Sequence, residues 1–157
     1  RDLRMSRGLG DVYKRQDGAL IEYASYVDNY YGTPKDYVMQ KLEQGIDVIL
    51  EIEMQGALKV KERFPEVSLI FITPPDAKVL RERLEGRGTE TQDVIEKRLA
   101  RAAQECAYMD QYDYIVINDD LNVCVEQIHG LIQALHWKCV NQQGQIAKMK
   151  GEFANKA

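Results

Sequence analysis

Three short runs of apolar residues constrain the fold of this 157-residue chain more than any other feature. The runs are continuous rather than alternating, which is typical of strands in a parallel sheet that is covered on both faces. Segments with helical periodicity lie between them, so strand and helix alternate along the chain. This order predicts an α/β domain built on a mostly parallel sheet. The three runs are DVILEIE (47–53), SLIFIT (68–73) and YIVIN (114–118).

Five helices are predicted around these runs from apolar periodicity and from residues that favour helix ends. Thr33 and Pro34 are expected to open the first helix as its N-cap and first helical residue, and Gly45 to close it. Asp76 is expected to cap the third helix, directly after a Pro-Pro pair. The other four helices are predicted at about 55–63, 77–86, 92–108 and 121–135.

The two ends of the chain do not continue this pattern. Residues 1–16 carry five basic residues and show neither helical nor strand periodicity, so we expect a disordered or non-native leader. The folded domain is expected over 17–138, and residues 139–157 are expected to form a polar, frayed tail.

Charge and hydropathy argue against several classes of protein. A formal charge of −4 lacks the basic footprint of a nucleic-acid-binding protein, so we expect no nucleic-acid partner. The sequence contains neither an apolar run of membrane-spanning length nor a secretory signal, so we expect a cytoplasmic protein without a membrane partner.

The segment 79–105 is crowded with Arg and Glu and is interrupted by the glycines of a Gly-Arg-Gly triplet. Two interpretations are open. The segment is either two solvated helices with salt-bridged faces, or a mobile lid whose arginines close over an anionic ligand.

Acidic side chains mark two places where a ligand could bind. Glu51 and Glu53 end the first apolar run, and alternation along a strand would point both to the same side. They are either solvated strand-end acids or groups that orient a metal-bound water or a nucleoside. Glu22 lies within an apolar stretch and needs a partner if it is buried, such as a ligand with paired N–H donors.

Three further polar residues have a simple structural explanation beside a functional one. Tyr31 could be a half-buried packing residue, and Thr33 could be only a helix cap. Asn118 begins an Asn-Asp-Asp stretch after the third run, which is good capping chemistry for the next helix.

Taken together, these stretches resemble the guanylate kinase family, enzymes that transfer a phosphoryl group from ATP to GMP. The resemblance covers Asp17 to about Trp137, in the order and at the spacing of the family. The matching motifs are GALIEYASYVDNYYGTP, DVILEIEMQGALKVK, LIFITPP, LRERLEGRGTET, IEKRLA and YIVINDDL.

The resemblance implies a role for each candidate on the GMP side. In the family, the acid at the position of Glu22 accepts hydrogen bonds from guanine, and the hydroxyl at that of Thr33 also contacts the base. The phenol that matches Tyr31 reaches the GMP phosphate, and the acid that matches Glu53 lies at the nucleoside.

On the ATP side, the resemblance implies that Arg87 and Arg98 are lid arginines that clamp the transferring phosphates. Asn118 matches a residue at the ATP base, and Glu51 matches an acid near the metal and the phosphates. The implied cofactor is Mg²⁺, with ATP as co-substrate and GMP as substrate.

The chain departs from the family in several respects. It contains no glycine-rich turn ending in Gly-Lys-Ser/Thr, the P-loop whose backbone binds the ATP phosphates. The family's next strand and the arginines that hold the GMP phosphate are also absent, and Glu51 and Glu53 stand where the family often has Asp. We therefore expect a P-loop nucleoside monophosphate kinase-like fold with a helical lid that is N-terminally truncated, and a fragment that is inactive by itself.

Two other functions are compatible with parts of the pattern. One is a guanylate-kinase-like interaction module of a scaffold protein, which would have no reason to keep both lid arginines. The other is a kinase for a different nucleoside monophosphate. The presence of both Glu22 and Thr33 argues against that function, because the pair favours guanine as the base.

Overall fold

A computed structural model describes the backbone of residues 20–26 and 29–154, and the side chains of residues 35–154. The chain divides into two compact units, Arg1–Val67 and Ser68–Ala157. The predicted leader, 1–16, lies outside the described residues.

The first unit begins with an antiparallel hairpin that the sequence analysis did not predict. Strand β1 spans Leu20–Tyr26 and strand β2 spans Asn29–Pro34. The register pairs Tyr26 with Asn29, and it shifts between Leu20 and Tyr23 as in a β-bulge. Four of the residues in β1 and β2 are tyrosines, and tyrosine favours strands.

Helix α1 spans Lys35–Glu43, so the predicted start at Thr33 and Pro34 is wrong. Pro34 is the last residue of β2 and is paired with Leu20. Thr33 and Pro34 therefore belong to the hairpin and not to the helix. The predicted end is confirmed, because Gly45 has φ +73°. Its N–H donates to the Leu42 carbonyl at 2.9 Å, and the next N–H reaches Lys41 at 3.0 Å, which is a Schellman motif.

The predicted strand at 47–53 is not a strand in the structure. Val48, Leu50 and Ile52 are partly buried against the cluster of Val38 and Val60, whereas Ile49 is 75% exposed. A strand requires a hydrogen-bonded neighbour, and the described residues supply none along this run. Apolar packing on one side therefore holds the segment. Helix α2, Met54–Arg63, follows as predicted and packs beside β1.

The second unit contains the other two predicted runs as a parallel pair. Strand β3 is Ile70–Thr73 and strand β4 is Tyr114–Ile117, with Ile70 opposite Tyr114 and Thr73 opposite Ile117. Between them lie helices α3, Ala77–Gly86, and α4, Gln92–Cys106, which pack together. Helix α5, Leu121–His136, follows β4 and packs against it.

Two aspartates fix the starts of these helices. Asp76 accepts a hydrogen bond from the Val79 N–H at 2.8 Å, as predicted for an N-cap. Asp120 caps α5 in the same way, accepting from Val123 at 3.0 Å. The capping explanation of the Asn-Asp-Asp stretch is therefore confirmed for its last residue.

Residues 139–154 do not form the frayed tail that was expected of this segment. They contain a 3₁₀ turn, Cys139–Asn141, and helix α6, Gln143–Ala154. Most of this helix consists of good helix formers, and Ile146, Met149 and Phe153 recur at spacings of three and four. The sequence analysis gave too much weight to the polar composition of this segment.

Candidate functional site

The predicted site residues fall into both units, and each unit is described by itself. Glu22 lies in β1, and Tyr31 and Thr33 lie in β2. Their side chains are outside the described part of the structure, so only the backbone places them. Glu22 is inside the irregular stretch between Leu20 and Tyr23, whose partners on the opposite strand are Pro34 and Gly32.

The hairpin therefore brings positions 22 and 33 to the same place on the two strands. The two positions are eleven apart in the sequence, and neither periodicity nor capping chemistry predicted this proximity. Register irregularities of this kind are frequent beside active sites, where they redirect a side chain.

The acidic pair lies at the start of α2. Glu53 is the N-cap residue, with φ −62° and ψ 151°, and its carboxylate makes no capping hydrogen bond. Glu51 and Glu53 are both exposed, whereas Ile52 between them is partly buried. The alternation predicted for a strand is therefore kept by these side chains, although no ladder forms.

Helices α3 and α4 are joined by a two-pronged ion pair. Arg81 donates from Nη1 to Glu96 Oε1 at 2.6 Å and from Nη2 to Oε2 at 3.2 Å. Gln92 adds a hydrogen bond to Oε1 at 3.1 Å. The hydrogen bond from Arg81, followed by that from Gln92, lowers the pKa of the Glu96 carboxyl, and the same contact raises the pKa of Arg81. The interpretation as salt-bridged faces thus applies to these residues.

The two predicted lid arginines have different surroundings. Arg87 is the C-cap residue of α3 and is exposed, and Gly88 beyond it turns the chain with φ +62°. Arg98, on α4, places Nη2 2.6 Å from Glu90 Oε1. Only Arg98 of these two therefore has a recorded ion-pair partner among the described residues.

Asn118 directly follows β4 and is half-buried. Its N–H donates to the Thr73 carbonyl at 2.8 Å, which extends the parallel pairing by one bond. Its carbonyl accepts from Arg83 Nη1 at 2.6 Å, and Arg83 Nη2 reaches the Asp119 carbonyl at 3.1 Å. The end of β4 is therefore fastened to α3.

Arg83 and Glu90 were not predicted as site residues from the sequence. Arg83 is 35 residues from Asn118, so the contact depends on the fold and has no local pattern. A signal for Glu90 was present, because it stands within the Gly-Arg-Gly-Thr-Glu stretch, but its role depends on burial.

Within the described ranges, no group of three or more His, Cys, Asp or Glu is arranged to hold a metal ion. Among the same residues, no helix has the length and apolar character needed to cross a bilayer.

Known proteins similar to this chain agree with one another. The family model "Guanylate kinase" matches residues 13–135. A guanylate kinase of Streptococcus mutans serotype c is 47% identical over 137 residues, covering 87% of this chain and 65% of the relative. One of Streptococcus agalactiae serotype III is 47% identical over 141 residues, covering 90% and 68%. The chain thus spans about two thirds of the length of the curated relatives it matches.

The solved structures give the same fold. The crystal structure of guanylate kinase from Anaplasma phagocytophilum matches with a TM-score of 0.76 at 29% identity, covering 92% of this chain and 70% of the other. This match and the parallel pairing of β3 and β4 confirm the predicted α/β, nucleoside monophosphate kinase-like fold. The chain belongs to the guanylate kinase family.

Proposed function

We propose that this chain is part of an enzyme that phosphorylates GMP to GDP with ATP, within purine nucleotide metabolism. The observation that supports this most strongly is the family match over 13–135. Arg87 and Arg98 both fall inside the matched range, on a two-helix segment of the second unit.

The GMP site is proposed to lie on the hairpin and the start of α2. Glu22 would accept from guanine N1–H and from its exocyclic amine, and Thr33 would add a contact to the base. Their positions on facing stretches of β1 and β2 support this pairing. Tyr31 would bind the GMP phosphate. Glu53, which is exposed at the N-cap of α2, would bind the nucleoside.

Phosphoryl transfer depends on positioning and on charge neutralisation, because the protein forms no covalent bond with the phosphate. Arg87 and Arg98 are proposed to bind the transferring phosphates and to stabilise the charge that develops during transfer. Asn118 is proposed to contact the ATP base. The bond from Arg83 to its carbonyl would keep this residue in place.

The residues present also suit Mg²⁺. This ion is usually held by one or two carboxylates together with substrate phosphates, so a site without a cluster of three acids fits it. Glu51 is the proposed carboxylate, since it is exposed and two residues before α2. When bound, the ion would neutralise charge on the ATP phosphates. We further propose that the protein acts in the cytoplasm on free nucleotides.

A coupled assay of ADP release with ATP, Mg²⁺ and GMP tests the proposal on two proteins. The first is the 157-residue chain, which has no P-loop motif and is expected to give the rate of a buffer blank. The second, called the chimaera below, joins this chain to the unmatched part of the Streptococcus mutans relative. Turnover of GMP by the chimaera is expected, and its absence would contradict the proposal. Turnover by the chain itself would show that the donor site is elsewhere.

A further inference from the structure

Glu90 occupies an unusual environment in the segment between α3 and α4. Its side chain is 14% exposed, and its Oε1 lies 2.6 Å from Arg98 Nη2. Its second oxygen, Oε2, is buried and has no hydrogen-bond partner in the described residues. Burying a carboxylate oxygen without a donor is costly, so stability alone does not explain why this acid is held here.

The pair also differs from the ion pairs within α3. In Lys78–Glu82 the two side chains are 84% and 60% exposed, and both partners of Arg81–Glu85 are also well exposed. Such surface pairs contribute little. In the Glu90–Arg98 pair the acid is mostly buried, whereas the arginine is 43% exposed. The acid is therefore the more buried partner, and the arginine side chain remains accessible to solvent.

We propose that Glu90 is a positioning residue that holds Arg98 ready for the phosphates. This inference rests on the proposed function, which supplies the phosphate contact of Arg98. A guanidinium has five N–H donors in one plane, and the contact with Glu90 runs through Nη2. Fixing that nitrogen orients the remaining donors of the same rigid plane.

The benefit comes from side-chain entropy. A free arginine loses rotamer freedom when it grips a phosphate, whereas an arginine already held by Glu90 loses less. Donors that are oriented in advance also serve best where charge develops during transfer. The contribution should therefore appear in kcat more than in KM.

Glu90→Gln distinguishes positioning from simple electrostatics, because the two predict opposite signs. If Glu90 were only a nearby negative charge, its neutralisation would favour the anionic substrates and raise the rate. If it positions Arg98, kcat of the chimaera should fall by roughly tenfold to a hundredfold, the larger figure being the loss for a misplacement of about 1 Å, with KM for GMP within about twofold. Glu90→Asp, which keeps the charge, should recover part of the loss.

Asp93→Asn is the matched control, since it removes an exposed carboxylate from the first turn of α4. It should not lower kcat. In an Arg98→Ala background, Glu90→Gln should change kcat by less than about twofold, because a residue that acts through Arg98 has nothing left to position. A full loss in that background, or a raised kcat in the single variant, overturns the proposal.

A second measurement does not depend on activity. In the chimaera labelled with ¹⁵N-arginine, rotation of the Arg98 guanidinium should be slow, and Glu90→Gln should make it fast. Asp93→Asn should leave it slow. An Arg98 signal that does not respond to Glu90→Gln overturns the inference even if the kinase is active. Slow rotation lost in Glu90→Gln supports the pairing even if the chimaera proves to have a different activity.

Discussion

At the scale of single residues, Glu22 carries the prediction about base choice. Guanine offers two donors on one edge that a single carboxylate can accept, whereas adenine presents an acceptor at N1. In the chimaera, Glu22→Gln should weaken the binding of GMP by about 1.5–3 kcal/mol, which is the range for hydrogen bonds to a charged group. The measurement is kcat/KM for GMP and for AMP, and AMP should lose much less because it never used the carboxylate.

Thr33→Val is the companion to this test. This substitution should also weaken the binding of GMP, but by less than Glu22→Gln does. Since α1 begins at Lys35 and Pro34 intervenes, no helix cap is lost, and thermal stability should remain nearly unchanged. Equal weakening of GMP and AMP by Glu22→Gln would show that Glu22 is structural.

Arg87 carries the second prediction at this scale. It is exposed beside a glycine of positive φ, where its side chain can move toward an anion. In the chimaera, Arg87→Ala should lower kcat by roughly a thousandfold, with a smaller effect on GMP affinity, as for other arginines that meet transferring phosphates. Lys97→Ala is the control, because it removes an exposed positive charge from α4. If kcat stays near normal in Arg87→Ala, Arg87 is only a solvated side chain and has no role in phosphoryl transfer.

Residue roles differ in how far the sequence predicts them. Asp76 works as a cap through an N–H three residues away, so the pattern was sufficient. Arg83 and Glu90 act through Asn118 and Arg98, and their roles depend on contacts and burial that only the folded chain creates. Local interactions such as helix caps can be predicted from the sequence, whereas tertiary contact partners cannot.

At the scale of elements, the joint between α3 and α4 should respond to acid. The pKa of Glu96 lies below its usual value of 4.5 when it is paired with Arg81. A carboxyl with a lowered folded pKa contributes stability above the unfolded pKa, and that contribution is lost as the pH falls through the folded value. Amide exchange in α3 should therefore accelerate as the pH falls below about 4.5, after correction for intrinsic exchange rates.

The control for this prediction is Glu96→Gln, which removes the titrating group. Its α3 amides should exchange faster at neutral pH, and acid should add less to that exchange than in the unaltered protein. Acid acceleration of equal size in both proteins would mean that another carboxyl opens the joint.

The elements themselves were predicted where the pattern was strong. The helices with clear caps or apolar stripes and the strands β3 and β4 all form. The run 47–53 has strand composition but no partner strand in the described residues, and composition cannot show whether a partner is there. The hairpin was missed because its tyrosines and its acid were considered singly, and the pairing of the two strands was not.

At the scale of the whole molecule, one face of β4 is left uncovered among the described residues. Ile115 and Ile117 are 52% and 55% exposed, although Val116 between them is 4% exposed. With Val123 and Leu131 of α5, they line an open apolar groove. Exposed apolar surface beside a short sheet favours association.

This surface leads to the last prediction, which concerns solubility. The 157-residue chain by itself should bind the dye ANS strongly and should elute above its monomer mass of 18.0 kDa in gel filtration. Ile115→Thr with Ile117→Thr keeps two β-branched residues on the strand while removing apolar area from the groove. It should therefore reduce both dye binding and association. Ile49→Thr, at an exposed position of the other unit, is the control and should have a smaller effect. A monomer with sharp, dispersed amide signals and little dye binding would show that these isoleucines are covered in solution.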